Sequence, residues 1–437
     1  MNRLLSTISV VCLLSLVNVG HGEDWPRFRG PNASGIRNDA DIPITWGDNK
    51  NLTWKIPLPG PGSSSPIVVD GKVFVTCYSG YGVSGAGEQK DLKRHLVCVD
   101  AKTGKVTWER TVAAVLPEDT YRGFITHHGY ASHTPASDGQ RVYAFFGKTG
   151  VIAFDLTGEK LWQTSVGTGS GTRGWGTAAS PIVYKNLVIV NASAESQAIY
   201  ALDSKTGDVV WKVQPSGLAS CWGTPVLADT EAGAKELVLA VPNAVWGMDP
   251  NTGKRLWTAK ADVGQFVCPS AITHGNVVYA CGGRGRGDGA LVAIKTGGRG
   301  EVTNTHVLWT CEQNTPVPTP LFFEDRLYCF SDSGSLFCVD AITGKANYSE
   351  RLLRGGGGGN RAVYASMIAT KGKLIAVSRM HGAYVVAPGA TYKNLAINRF
   401  AQDSSAFHGT PAISDHRMYL RSNEFLYCIQ EETKSRR

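Results

Sequence analysis

Five short segments hold the side chains best suited to binding or chemistry. TYRGFITHHGYASH carries His127, His128 and His133, GTRGWGT carries Arg173 and Trp175, and SCWGT carries Trp222. GGGGGNRAVY carries Arg361 and Tyr364, and SSAFHGT carries His408. The indoles of Trp175 and Trp222, each in a Trp-Gly-Thr sequence, suit stacking on a planar ring or a sugar. A guanidinium suits a carboxylate or phosphate. Clustered histidines suit a metal, but no Asp or Glu lies between Tyr121 and Ser137 to join them. Hydrogen-bonded structural histidines fit the same spacing, the tryptophans could equally plug a channel, and the arginines could pair with neighbouring carboxylates. The candidate binding residues are therefore His133, Arg173, Trp175, Trp222, Arg361 and His408. No catalytic residue and no metal ligand is assigned.

Covalent chemistry has less support. There is no GxSxG elbow and no HExxH, although a Ser/His/Asp grouping formed in space stays open. CxxC, CxxCH and adjacent cysteines are absent, which removes zinc-ribbon and c-type haem signatures. The Gly355–Gly359 run reads as a flexible flap and lacks the strand-loop-helix setting of a phosphate cradle. The chain carries 44 basic and 36 acidic residues, a net charge of +8. These charges are spread out, not gathered into a nucleic-acid stripe. The densest basic spot, GGRGRGDG, reads as a solvated loop.

Something must bring those segments together, and the chain does so by repetition. With 51 glycines and 11 tryptophans in 437 residues, and 18% charged residues, the composition is neither disordered nor helical. One phrase recurs: an apolar strand, Asp, a short turn with Gly, then a strand carrying Trp. Its aspartates are Asp100, Asp155, Asp203, Asp249 and Asp340, at spacings of 55, 48, 46 and 91. The last gap is about two periods and contains a degenerate copy, LVAIKTGGRG. A second phrase opens each unit near Ser/Thr-Pro, from SSSPIVVDGKVFVT to HGTPAISDHRMYLRS. A period of roughly 40–50 residues with a Trp-bearing strand indicates a β-propeller. Eight inner hairpins but seven following outer strands are present. The segment LTWKIPLP around Trp54 supplies the eighth, completing the last blade and leaving no free edge. The fold expected is all-β: an eight-bladed propeller of four-stranded antiparallel blades. The loops before the innermost strands, which hold all six candidates, would then meet at one mouth of the central channel.

The expected layout is a secretory signal over 1–22, a lead-in packing on the ring over 23–50, the propeller over 51–430 and a tail over 431–437. Arg3 and the apolar run Leu4–Val17 make the signal, so the protein is expected to be exported, periplasmic or secreted, without a transmembrane segment, and monomeric. Among the ten cysteines, two pairs sit symmetrically about hairpin turns. Cys268–Cys281 and Cys329–Cys338 are thus candidate disulfides.

The Asp-x-x-Thr-Gly phrases with their tryptophans resemble the pyrroloquinoline-quinone-like (PQQ-like) β-propeller repeat family. The lead-in DWPRFRGPN and the run HGYASHTPASDGQRVYAFFGKTGVIAFDLTGEKLWQ resemble secreted bacterial members of planctomycete type. The resemblance covers nearly the whole chain after residue 22. It implies the propeller fold and leaves activity divided, because the family holds quinoprotein dehydrogenases as well as a non-enzymatic lipoprotein that helps insert outer-membrane β-barrels. Family quinoproteins bind the quinone (PQQ) between a Trp and a disulfide of adjacent cysteines, with Ca²⁺ on side-chain oxygens. The cysteine pair is missing here, the Ca²⁺ ligands and catalytic Asp are not recognisable, and neither is the lipidated cysteine of the assembly lipoprotein. The function expected is a non-catalytic module binding a protein, glycan or small ligand at the channel mouth. The alternative is a PQQ-dependent dehydrogenase of an alcohol or sugar, with PQQ and Ca²⁺ as cofactors.

Overall fold

Burial explains which strands these sequences make. In the third repeat, Leu187–Ala192 is buried along its whole length and Ala198–Asp203 almost so, while Val209–Val213 buries only Trp211. Inner strands are covered on both faces by neighbouring sheets, whereas the outer strand is covered on one. The computed structural model describes residues 24–83, 87–283, 289–353 and 361–432. It forms eight antiparallel sheets of four strands, with one further short parallel strand on each of two of them. The residue 1–22 signal, the Gly355–Gly359 run and most of GGRGRGDG lie outside the described residues.

We number the blades along the chain by their innermost strands: Ile67–Val69, Ala136–Ser137, Ile182–Tyr184, Val226–Asp229, Ile272–His274, Leu321–Phe323, Ile368–Thr370 and Ala412–Ser414. The outer strand of blade 8 is Leu52–Pro57, which pairs antiparallel with Phe425–Ile429. The segment around Trp54 thus closes the ring.

The repeated phrase is the joint between blades. Asp100 Oδ1 accepts the Thr103 N–H at 2.8 Å and the Thr103 hydroxyl at 2.7 Å; Asp155 and Asp340 bind their turn threonines in the same way. The turn glycine has φ +75° at Gly104 and +77° at Gly207, and it lies flat on the indole of the preceding blade. A Cβ at Gly207 would stand 2.6 Å from the Trp162 ring. Each indole N–H then donates to a carbonyl of that turn: Trp54 to Ala101, Trp108 to Leu156, Trp162 to Ser204, Trp211 to Pro250 and Trp309 to Ala341, at 3.1–3.2 Å. Trp257 faces the degenerate fifth repeat, which has no such turn. It donates to the buried carboxylate of Glu236 at 2.7 Å instead.

The opening phrase makes a second joint, nearer the axis. Ser65, Thr134, Ser180, Thr224, Ser270, Thr319, Ser366 and Thr410 precede the eight innermost strands. Each backbone N–H donates to the hydroxyl oxygen of its counterpart in the next blade, at 2.9–3.0 Å every time. Thr410 N–H donates to Ser65 Oγ at 3.0 Å and completes the circle. Eight buried N–H groups are satisfied without a strand partner.

The segment from Asp24 to Trp46 lies against the ring. Trp25 exchanges two backbone hydrogen bonds with Val68, and the Pro26 carbonyl accepts Ser137 N–H. Arg29 donates to the Thr319 carbonyl at 3.0 Å, and Ile36–Arg37 pairs in parallel with Ala369–Thr370. One segment therefore touches the innermost strands of blades 1, 2 and 7 and the carbonyl just before that of blade 6.

The candidate disulfides are not formed: all nine cysteines of the described residues are free. Register is the reason. Cys329 pairs with Phe337, and Cys338 with Tyr328. That one-residue offset puts the two thiols on opposite faces of the sheet. In blade 5, Ile272 pairs with Tyr279, and continuing that register sets Ser270, not Cys268, across from Cys281. Among the described residues no helix is long and apolar enough to cross a membrane.

Candidate functional site

The loops that lead into the innermost strands converge over a cavity of about 200 Å³ on the channel axis. Its deep wall is the circle of eight hydroxyl residues, and Phe28 from the lead-in reaches it as well. Its mouth is aromatic. Trp175 and Trp222 stack with ring centres 5.2 Å apart and planes 26° from parallel. Phe266 stands 5.1 Å from Trp175 on one side and Phe124 stands 4.6 Å away on another. The Trp222 indole N–H donates to the Gly176 carbonyl at 2.9 Å, which fixes one tryptophan to the loop of the other. The half-buried pair leaves an apolar surface facing the cavity.

The structure brings Trp175, Trp222, Arg361 and His408 together around this cavity. Arg361 pairs with the buried Asp332 and lies 5.7 Å over the Phe124 ring. His408 is buried beneath Tyr364, with ring centres 5.5 Å apart, and its Nδ1 has no partner among the described residues. Arg173 stays at the exposed rim, 4.5 Å over Phe266. His133 does not reach the cavity. Its Nε2 bonds the Thr177 hydroxyl at 2.9 Å and its ring packs on Phe145. The two Trp-Gly-Thr sequences also occupy different positions. Thr224 belongs to the hydroxyl circle, whereas Thr177 precedes its circle member, Ser180, by three residues and holds His133.

Burial sets the electrostatics. It pushes the His133 and His408 pKa values well below the usual imidazole value, with nearby arginines adding to the effect. Both rings are therefore neutral at physiological pH. His128 is also lowered by burial; its Nε2 lies 2.8 Å from the Trp175 carbonyl and its Nδ1 2.6 Å from the Ser132 hydroxyl. This histidine holds the tryptophan loop in place. Phe28, Phe124 and Phe266 were not legible as site residues. Phe124 and Phe266 sit in the right loops, but an isolated Phe carries no polar signal. The hydroxyl circle did have a signal, the recurrent Ser/Thr at each strand start.

The donor set does not suit Ca²⁺, which takes six to eight oxygen ligands including carboxylates. Among the described residues no Asp or Glu lines the cavity, and the cysteine there, Cys268, has no cysteine adjacent to it in the sequence. Among the described residues no three His, Cys, Asp or Glu side chains are grouped to hold a metal.

A closed ring of eight blades, joined by Asp-turn-Trp contacts and capped by an aromatic mouth, defines a PQQ-like β-propeller. The chain belongs to the family described as outer membrane protein assembly factor BamB, whose model matches residues 88–220 and 192–387. The solved structure of BamB from Moraxella catarrhalis superposes with a TM-score of 0.58 over 88% of this chain and 99% of its own, at 14% identity. The computationally designed Ika8 protein superposes at 0.56, covering 89% and 100%, at 13% identity. These likenesses concern the fold. A tetrathionate hydrolase from Acidithiobacillus ferrooxidans is 25% identical over 245 residues, which are 51% of this chain and 46% of the relative. The chain thus spans about half the length of that relative.

Proposed function

We propose that the protein is an exported, non-catalytic binding propeller that takes a planar-faced guest in the mouth of its channel. The guest's ring would come from a partner protein's aromatic side chain, a glycan or a small ligand. One observation carries this reading: the Trp175–Trp222 stack with Phe266 and Phe124 over a cavity large enough for a ring. A cavity of ~150 Å³ lined by apolar side chains already takes benzene. An assembly-factor family supports a binding role over a catalytic one. So does a cavity lining that, among the described residues, holds no carboxylate to act as base.

The test is native mass spectrometry of the protein purified from its own cells, beside the Trp175→Ala/Trp222→Ala double variant. A co-purified mass present in the parent and absent from an equally stable variant is the expected result. A variant that loses thermal stability while keeping every ligand would mean that the tryptophans are a plug, and would overturn the reading. Adding PQQ and Ca²⁺ to both proteins checks the alternative; stoichiometric uptake with dye-linked alcohol oxidation would favour the dehydrogenase.

A further inference from the structure

Blade 1 carries a grouping of side chains away from the channel. Its second, third and fourth strands are Lys72–Ser79, Lys93–Asp100 and Val106–Ala113. Cys77 stands opposite His95, and His95 stands opposite Thr111. Ser79 lies two residues beyond Cys77, and Glu109 lies two before Thr111. The two-residue period of a strand therefore sets Ser79, His95 and Glu109 on one face. Diagonal neighbours on a sheet are within reach of long side chains, and here they meet. Ser79 Oγ is 2.7 Å from His95 Nε2, and His95 Nδ1 is 2.7 Å from Glu109 Oε1. The Thr111 hydroxyl stands 3.3 Å from the same Nδ1.

Donor and acceptor chemistry fixes the direction of this row. A carboxylate only accepts, so Nδ1 carries the proton and donates to Glu109. In the neutral imidazole Nε2 then keeps its lone pair, and Ser79 donates its O–H to it. A hydroxyl bonded to a base, itself oriented by a third group, is the arrangement that activates a nucleophile. The backbone around Ser79 is stripped of side chains. Gly80 follows it at φ +84°, where a Cβ would strike the Asp91 carbonyl. A Cβ on Gly60 would strike the Tyr78 carbonyl and stand 3.7 Å from Ser79 Cα. His95 is buried, Ser79 half-buried and Glu109 exposed. The same face packs on blade 8, where Ile56 and Leu58 join Cys77 and Val97 in one apolar cluster. None of the three residues lines the channel cavity.

We propose that Ser79, His95 and Glu109 form an acyl-transfer site for carboxylic esters on the side of blade 1 that meets blade 8. Ser79 is the nucleophile, His95 the general base and then acid, and Glu109 the residue that positions the imidazole. Ser79 Oγ bonds to the ester carbonyl carbon, and its proton passes to His95 Nε2. The bond from that carbon to the alcohol oxygen breaks, and the alcohol leaves with the proton. Water, giving a proton to His95, then attacks the acyl-Ser79 carbonyl; the acid is released and the proton returns to Ser79 Oγ. One ester and one water become one acid and one alcohol. No residue of the channel mouth takes part, so this chemistry and the binding at the mouth stand or fall separately.

The test applies a fluorophosphonate probe and p-nitrophenyl acetate to the full chain. The probe forms an Oγ–P bond and expels fluoride, and peptide mass spectrometry locates it. Labelling of Ser79 is expected, together with a burst of p-nitrophenolate followed by slower turnover. Ser79→Ala should lose both the label and the burst. His95→Gln should slow labelling of Ser79 by at least about 100-fold, the usual contribution of a general base. Glu109→Ala, a change at an exposed position, should slow it several-fold. Thermal melting shows that each variant is folded. The Trp175→Ala/Trp222→Ala double variant should label Ser79 at the parent's rate. A parent that takes no probe at Ser79 would overturn the proposal, and so would equal labelling rates in the parent, His95→Gln and Glu109→Ala. Loss of the label in the tryptophan double variant would place the chemistry at the mouth and overturn it too.

Discussion

Glu195 shows what burial does to a single carboxyl. It is 4% exposed, and among the described residues its carboxylate oxygens have no well-formed hydrogen bond, the Thr177 hydroxyl being a nearby donor. Burial raises its pKa from 4.5 to about 7. In the unfolded chain the group ionises near 4.5, so folding is favoured below that pH and loses stability as pH climbs towards 7, with no further change above. The full loss is on the order of 3 kcal/mol. Glu195→Gln should therefore be more stable than the parent at pH 8 and no better at pH 4; urea unfolding at both values measures this. No sequence pattern marks Glu195, because its shift arises from enclosure between blades. The tryptophans of the mouth were legible because two large aromatics in loops before strands are unusual. His133 was misplaced for the opposite reason: histidine type and loop position look the same whether the ring faces a cavity or a wall.

The turn between the third and fourth strands, as at Gly207 in blade 3, is specified twice over, whereas the turn between the first and second, as at Gly71 in blade 1, is specified once. Gly71 and Gly207 both have positive φ, +66° and +77°. A Cβ on Gly71 would meet nothing within 4 Å, whereas one on Gly207 would strike Trp162. Gly71→Ala should thus cost about 1 kcal/mol, the backbone penalty alone. Gly207→Ala should cost roughly 3 kcal/mol or more, because it also unseats an indole. Paired denaturant titrations separate the two; equal losses would mean that the glycine–indole contact contributes nothing. Strand order and the Trp docking followed from the repeat, since the same residues solve the same problem five times. The cysteine pairings failed because counting from a presumed turn centre missed the register by one residue in blade 6 and by two in blade 5, and a single residue already turns a side chain to the other face.

At the scale of the whole molecule, closure depends on a strand far away in sequence. Leu52–Pro57 covers the edge of Phe425–Ile429, and Trp54 reaches on to the Ala101 carbonyl of blade 1. A chain starting at residue 58 would present that edge and a bare joint. It should associate through the uncovered strand, eluting above monomer size in gel filtration, while a synthetic LTWKIPLP peptide should restore the parent's elution volume. The need for this strand was legible from a count of outer strands. The path of Asp24–Trp46 was not, because it touches distant blades through single contacts that leave no period in the chain.

The circle of hydroxyls treats the join between blades 8 and 1 like any other: its backbone N–H to hydroxyl hydrogen bond, at 3.0 Å, lies within the 2.9–3.0 Å range of the others. The position of the polypeptide's ends is then a matter of wiring, not of architecture. A permuted gene that begins at Asn186, in the hairpin of blade 3, and links Glu432 to Asp24 through a flexible spacer should fold to the same ring.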